Sequence, residues 1–229
     1  MMARPIDVLL DPVATFASIA RRPTWIAPLV ILMVLATLTS TLTFHKIDIA
    51  QSVREQFAAR GQTADEDQIN QGVTFFENLQ GVAALVTLVS FPLVMMLVAL
   101  VFWLAFQLAG QVIDYGASMA VTVHGMMPWA VASLLTLPVL LSRDTITAKE
   151  AMSGSVLISH LGFVASSNAA PAWGGLLSSV DLFSLWTAVL LTIGYGAAAK
   201  ASTAKAVAIV SSVWLGYIGL KVGWLALGA

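Results

Sequence analysis

Residues 25–44 read WIAPLVILMVLATLTSTLTF, a run of twenty residues without a charged side chain. A transmembrane helix needs about 20 predominantly apolar residues to cross the hydrocarbon core of a bilayer. A cleaved secretory signal instead has a positively charged start and an apolar region of about 7–15 residues. Here Asp7 and Asp11 stand beside Arg4. The run therefore predicts a retained membrane-spanning helix over residues 25–44.

The composition of the whole chain also indicates a membrane protein. Of its 229 residues, 59% are hydrophobic and 10% are charged, whereas soluble globular proteins carry about 25% charged residues. The formal net charge of -1 provides no basic field to attract nucleic acid. The absence of cysteine excludes disulfides, thiolate metal sites and thiol nucleophiles. We therefore expect the lipid bilayer, and no nucleic acid, as a partner.

Four further stretches are long and apolar enough to cross a bilayer, at about residues 82–109, 119–142, 182–199 and 206–228. Backbone polar groups inside lipid must be satisfied within the embedded structure, and these runs are too long for barrel strands. We predict an all-α, polytopic membrane helical bundle with five transmembrane helices, formed by a single domain over residues 1–229.

The most polar part of the chain, residues 45–81, predicts an extramembrane helical hairpin. Apolar residues recur there at helical spacing on both sides of Gly61. Gly61 fits a helix C-terminus, and Thr63 with Glu66 fits the capping box of the next helix. Since neither Pro nor Gly occurs in residues 44–60, we expect both arms of the hairpin to continue the neighbouring spans.

Two other segments are expected at the membrane surface. Residues 1–23 form a predicted N-terminal interfacial segment, in which Phe16 and Ile19 share one helical face. Residues 154–166 are apolar but short and rich in Ser and Gly. They predict an interfacial helix, with a re-entrant segment as the open alternative.

Capping signals mark the connection between the third and fourth spans. Thr147 and Glu150 stand at the spacing of a second capping box. Ser179 and Asp181 are both placed to cap the fourth span. The sequence leaves the choice between these two caps open.

Basic residues do not decide the orientation by number, because five fall on each side of the predicted bundle. One side holds Arg4, Arg21, Arg22, Lys200 and Lys205, and the other holds Lys46, Arg54, Arg60, Arg143 and Lys149. The first group is concentrated in fewer residues, which favours a cytoplasmic N-terminus and a C-terminus on the opposite side. We expect a multi-pass protein of the bacterial cytoplasmic (inner) membrane.

Two ionisable side chains, His124 and Lys221, lie well within predicted spans, where such groups are pointers to function. His124 neighbours Gly125 and Pro128, which would kink its helix. It is either a ligand or proton site, or a side chain that is satisfied by a hydrogen bond to a neighbouring helix. Lys221 either faces a cavity or extends its ammonium group to the headgroups. The structural alternative is favoured for both.

Signatures of enzymes are absent from the sequence. It contains no HExxH, no GxSxG, no Gly-rich phosphate loop and no Cys/His cluster. Asp114 falls in a short loop between spans, where a solvated carboxylate is expected. The sequence therefore predicts no catalytic residue, no cofactor and no metal site, and a protein that is not an enzyme.

Three stretches carry a family pattern. They are DPVATFASIARRPTWIAPLVIL at residues 11–32, LAFQLAGQVIDYGASMAVTVHGMMPWAV at residues 104–131, and SVDLFSLWTAVLLTIGYGAAAKASTAKAVAIV at residues 179–210. Together they resemble the Yip (Ypt-interacting) domain family of five-span membrane proteins, in particular its prokaryotic branch. The family-like structural positions are Pro12, Pro23, Trp25, Pro28, Gly110, Pro128, Asp181 and Trp186.

The resemblance implies a cytosolic N-terminus, five helices and no known catalytic residue. Eukaryotic relatives are associated with Rab-type GTPases and with vesicle membranes of the secretory pathway. GTPase binding is not carried over to this chain, because its segment before the first span is short and it lacks the family's D-L-Y-G-P stretch.

Two functions of different classes follow from these patterns. The first is a non-enzymatic membrane protein that organises protein or lipid partners, with small-residue faces suited to helix packing or to a homo-oligomer. The alternative is a small transporter, channel or permeation accessory in which His124 and Lys221 line a pathway. Because the spans show no clear inverted repeat and contain few charges, the first function is favoured.

Overall fold

The computed structural model describes residues 4–153, 156, 157, 159 and 171–227, and confirms the all-α class. The helices in this part of the chain are α1 (Asp7–Leu10), α2 (Pro12–Arg21), α3 (Ile26–Lys46), α4 (Ile49–Ala59), α5 (Glu66–Leu108), α6 (Tyr115–Gly125), α7 (Met127–Ser142), α8 (Ala148–Ser153), α9 (Pro171–Leu177), α10 (Leu182–Ala198) and α11 (Thr203–Leu227). Most of residues 154–166 lies outside the described residues. The choice between an interfacial and a re-entrant segment therefore stays open.

Four helical stretches in the described part are long and apolar enough to cross a membrane. They are α3, α5, α6 together with α7, and α11, and they coincide with the first, second, third and fifth predicted spans. At the fourth predicted span, α10 is apolar but has only 17 residues, or about 26 Å of helix. Helix length therefore does not confirm the count of five spans.

The third span consists of two helices. Asp114 caps the start of α6 by accepting from the backbone N–H of Ala117 at 3.2 Å. The helix is interrupted at Met126, and α7 then begins with Pro128 in its first turn. Proline is tolerated there because the first turn of a helix needs no N–H donor at that position. The predicted irregularity near Gly125 and Pro128 is confirmed.

Helix α5 is long because the second arm of the hairpin continues into the second span. Its 43 residues extend about 65 Å at 1.5 Å per residue, which is about twice the hydrocarbon thickness of a bilayer. The prediction of a continuous second arm is confirmed. The predicted capping box of Thr63 and Glu66 is wrong. Asp65 accepts from the N–H of Gln68 at 2.8 Å, and the Gln68 side chain accepts from the N–H of Asp65 at 3.1 Å.

The first arm does not continue the first span, so that prediction is wrong. Ile47 and Asp48 are extended and separate α3 from α4. The backbone N–H of Asp48 donates to the carbonyl of Ile146 at 2.9 Å, and the N–H of Ile146 donates to the carbonyl of Lys46 at 2.8 Å. This pairing with the distant connection after α7 breaks the helix. The predicted end of α4 is confirmed, because Gly61 has φ 70° just beyond it.

The N-terminal helix α2 packs against α10 and α6. Asp11 caps it by accepting from the N–H of Ala14 at 3.2 Å. Phe16 and Ile19 lie on one face of α2, as the sequence predicts. Both are fully buried, and this face packs into the core of the bundle. The opposite side of the N-terminal segment leaves Leu10 and Val13 exposed.

Candidate functional site

The centre of the bundle holds a chain of buried hydroxyl groups around Tyr195. The hydroxyl of Tyr195 on α10 lies 2.7 Å from Ser118 Oγ and 2.8 Å from Thr122 Oγ1, both on α6. Ser118 Oγ donates to the carbonyl of Ala99 on α5 at 2.8 Å. Since each hydroxyl has one proton, the order is Thr122 to Tyr195 to Ser118 to Ala99. The chain therefore joins three helices.

The aromatic ring of Tyr195 packs against two phenylalanine rings of α5. Its ring lies 4.7 Å from that of Phe106 at an interplanar angle of 14°, and 5.1 Å from that of Phe102. Phe106 and Tyr195 are fully buried. Stacked aromatic pairs stabilise a core beyond the area they bury. Sequence analysis missed this cluster, although Ser118 and Thr122 stand one helical turn apart in a predicted span, a spacing that places both on one face.

Two glycines allow the helices around Tyr195 to approach closely. A Cβ atom on Gly194 would lie 2.6 Å from Val121 Cγ1 and 2.7 Å from Phe16 Cε1, so α10, α6 and α2 meet there. A Cβ atom on Gly125 would lie 2.5 Å from Leu191 Cδ2. Small residues at such crossings are typical of membrane helix packing.

His124 is buried in the last turn of α6 and hydrogen-bonds within its own helix. Its Nδ1 lies 2.8 Å from the carbonyl oxygen of Ala120, and the residue is 1% exposed. Because a carbonyl only accepts, Nδ1 carries the proton in this contact. The sequence favoured a hydrogen bond to a neighbouring helix, whereas the bond seen here stays within α6.

Lys221 on α11 contacts the two serines that follow the short helix α9. Its Nζ donates to Ser178 Oγ at 3.2 Å and to Ser179 Oγ at 3.0 Å. Ser179 Oγ in turn donates to the carbonyl of Gly175 at 2.7 Å. The structure therefore gives His124 and Lys221 separate partners and does not join them into one site.

The family-like positions lie mainly at helix ends and turns. Pro12 and Pro128 stand in the first turns of α2 and α7, and Pro28 is buried in the first turn of α3. Pro23 and Trp25 lie in the connection before α3, and Trp186 is half-buried on α10. Gly110 has φ 74° after α5, where the N–H of Gln111 donates to the carbonyl of Phe106 at 2.9 Å. Asp181 caps α10 by accepting from the N–H groups of Phe183 and Ser184. These positions shape the fold.

A second polar cluster, the outer clasp of Lys46, Arg143, Thr147 and Glu150, joins the base of the hairpin to the connection after α7. Lys46 Nζ donates to the carbonyl of Arg143 at 2.7 Å, and Arg143 pairs with Glu150 at 3.0 Å. The N–H of Thr147 donates to Glu150 at 2.9 Å, and Thr147 Oγ1 accepts from the N–H of Glu150 at 3.1 Å, which confirms the second predicted capping box. The hydrogen bond from Thr147 and the guanidinium of Arg143 lower the pKa of Glu150, while partial burial opposes them.

The described part of the chain forms two cavities whose linings do not include either intramembrane ionisable group. One of about 640 Å³ lies between α3 and the hairpin base, and a shallower groove of about 450 Å³ follows one face of α5. Neither is lined by His124 or Lys221. In the ranges that the structure describes, no three His, Asp or Glu side chains are grouped to hold a metal ion.

Comparison with known families gives a match that covers nearly the whole chain. A family model described as the Yip1 domain matches residues 6–225. No curated protein matches the chain, and no solved structure does.

Proposed function

The chain belongs to the Yip1 domain family, and from this we propose that it is a non-enzymatic multi-pass membrane protein that organises protein or lipid partners. The central observation is the closed interior around Tyr195, where bonded hydroxyls and stacked rings join α5, α6 and α10. Alternating-access transporters place their substrate site at a midplane cavity between moving helices. A bundle whose central helices are joined by hydrogen bonds and packed rings instead supports a stable platform.

The hairpin supplies a surface for a protein partner. We place it outside the membrane, because α5 is about twice as long as the bilayer requires and its first turns carry Glu66 and Asp67. Phe75 is 64% exposed there, in the groove with Asp67, Asn70, Gln71, Thr74 and Asn78. Protein interfaces are enriched in aromatic residues at their centres and have polar residues at their rims.

A second copy of the chain, or another membrane helix, is the partner that α11 could take. Gly219 and Gly223 are exposed, and a Cβ atom on either would meet nothing within 4 Å. Glycines spaced four residues apart let two membrane helices approach closely. This support for a homo-oligomer is independent of the hairpin.

The location proposed for this platform is the bacterial cytoplasmic membrane, with the N-terminus in the cytoplasm. In this orientation the hairpin and the outer clasp lie on the opposite side. The turn between α10 and α11 then lies in the cytoplasm. It contains Lys200, and Lys205 follows in the first turn of α11; Arg21 and Arg22 lie on the same side. The support is the density of these basic residues near the helix ends.

A small transporter or channel using His124 and Lys221 stays the alternative prediction. The separate partners of the two side chains and their absence from the linings of both cavities favour the platform instead. Solute flux in proteoliposomes separates the two functions. Flux that is lost in both His124→Ala and Lys221→Ala would establish transport and contradict the platform.

Affinity capture of the intact protein from its native membrane tests the platform itself. We expect a partner at fixed stoichiometry that is lost with Phe75→Ser in the groove and kept with Gln62→Ser, an exposed control at the hairpin tip. Recovery of the same material with both variants would show that the groove does not bind it.

A further inference from the structure

The cavity of about 640 Å³ is a second place where the protein can hold a molecule. It lies where three spans meet the base of the hairpin, and its lining residues are Ala36, Thr39, Ser40, Thr43, Phe44, Ile47, Gln56, Phe76, Ser133, Ala148 and Ala151. Ligand cavities in proteins commonly enclose about 300–1,000 Å³. The volume is therefore that of a site for a small molecule or for part of a lipid.

The floor of the cavity is one face of α3. Ala36, Ser40 and Phe44 follow each other every four residues, which places them on one side of the helix. They cover eight residues, or about 12 Å. Since Ala36 stands ten residues after the start of α3 at Ile26, the cavity begins about 15 Å along the helix. It therefore runs from near mid-bilayer to the hairpin base.

Hydroxyl groups in the deep part of this cavity differ in their bonding, because Ser40 has a partner in the protein and Thr39 Oγ1 is buried without one among the described residues. Ser40 Oγ lies 3.3 Å from Thr87 Oγ1, and Gln80 Nε2 donates to the carbonyl of Phe44 at 2.9 Å. Phe44 and Phe76 pair with ring centroids 5.9 Å apart. At the hairpin end the lining includes the exposed amide of Gln56. The surface of the cavity is therefore mostly apolar, with a few hydroxyl groups inside and an exposed amide at its mouth.

A mostly apolar space favours an apolar occupant over water, because apolar cavities in proteins stay dry. An empty one would lose packing contacts on every wall. At this depth between membrane spans, the surrounding solvent is lipid. An extended hydrocarbon chain with a polar end matches the cavity in three ways. Its apolar part matches the lining, its polar end matches the mouth near the hairpin, and it is long enough to cover the floor along α3.

We propose that the cavity binds one acyl chain of a glycerophospholipid from the surrounding bilayer, with its headgroup at the mouth beside Gln56. The chain lies along Ala36, Ser40 and Phe44, between Ser133 of α7 and Phe76 of α5. This site deepens the proposed function and rests on it, since it names the lipid class that the platform holds. It uses a different surface from the Phe75 groove.

Photolabelling in proteoliposomes tests the site. The vesicles contain a phosphatidylglycerol and phosphatidylethanolamine mixture with a trace of phospholipid that carries a diazirine in the middle of one acyl chain. We expect label to concentrate in the peptide that contains residues 36–44, above its level on lipid-facing Leu93 and Leu97 of α5. Ala36→Phe fills the floor and should lower this label at least fivefold. Val34→Phe, which adds the same ring at an exposed position of α3, should leave it unchanged.

A second variant, Ala151→Phe, fills the cavity from α8 and should give the same loss if Ala36→Phe does not fold. Label that is spread evenly over lipid-facing helices, or unchanged in the filled variants, overturns the proposal. Native mass spectrometry identifies the source of the chain. An intact phospholipid supports it, and retention of only a free fatty acid or detergent overturns it. Partner capture at Phe75 that persists without cavity labelling removes this site and leaves the platform standing.

Discussion

The hydroxyl of Thr122 on α6 lies 2.8 Å from that of Tyr195 on α10, and both side chains are fully buried. The contact is the first link of a hydrogen-bonded chain that ends at the carbonyl of Ala99 on α5. When its partner is removed, a hydroxyl inside a membrane bundle cannot form a replacement hydrogen bond with water. The stability of the bundle should therefore depend on this one phenol group.

Tyr195→Phe should lower the free energy of unfolding by about 1–2 kcal/mol. Hydrogen bonds between membrane helices contribute about this much at most, and Thr122 is left without its acceptor. The measurement is thermal or denaturant unfolding in a mild detergent. Tyr217→Phe, at a 61% exposed ring on α11, is the matched control and should have no effect. Equal stability of both variants would show that the hydroxyl chain does not hold the helices together.

Glycine-to-alanine changes should have opposite effects at two positions. At Gly194 the new methyl group meets Val121 and Phe16 at under 3 Å, and such overpacking typically costs about 1–3 kcal/mol. At Gly81 on α5 nothing lies within 4 Å, so alanine should stabilise by about 0.4–1 kcal/mol by restricting the unfolded chain. Unfolding curves of the two variants check both signs. A Gly194→Ala protein as stable as wild type would mean that α2 and α6 can move apart there.

The outer clasp should weaken in acid through Glu150. Its folded pKa is lowered, so the stabilisation that it provides is present above the unfolded pKa and is lost as the pH falls through the folded pKa. Glu150→Gln should reduce the hydrogen-exchange protection of α8 at neutral pH, and this difference from wild type should vanish in acid. The effect is modest, because the pair is more than one-third exposed. If the difference in protection between Glu150→Gln and wild type stayed constant with pH, the ionisation of Glu150 would not be its cause.

The proposed orientation is testable because the chain contains no cysteine. A single Gln62→Cys at the hairpin tip should react with a membrane-impermeant maleimide in intact spheroplasts. Ser202→Cys, in the turn between α10 and α11, should react only after the membrane is opened. The reverse pattern would place the N-terminus outside the cytoplasm.

Helix ends are predictable from sequence where the signal is local. Gly61 ends α4 through its positive φ, and Asp181 caps α10 by bonding backbone N–H groups two and three residues further on. Both effects are local, and the sequence indicates both residues as candidates for these roles. Asp65 shows the limit, because it caps α5 two residues after Thr63 and both residue types are strong caps. The local sequence therefore limits the capping residue of α5 to a few candidates but does not select among them.

Contacts between distant segments escape prediction from one sequence. Residues 44–60 contain no helix breaker, yet the helix stops at Lys46 because the backbone at Ile47 and Asp48 pairs with Ile146. The Tyr195 cluster likewise combines residues from three helices, so hydropathy alone could mark Ser118 and Thr122 only as small polar residues in a span. Such residues are common in membrane helices and indicate no particular partner.

The most direct test of the platform is photo-crosslinking from the hairpin in the native membrane. A benzoylphenylalanine in place of Phe75, in the exposed groove of α5, is compared with the same residue in place of Leu88, at an exposed apolar position of the second span. We expect a discrete protein adduct of constant mass at position 75 and only lipid adducts at position 88. If position 75 gives no protein adduct, or the same products as position 88, the hairpin holds no partner and the account is contradicted.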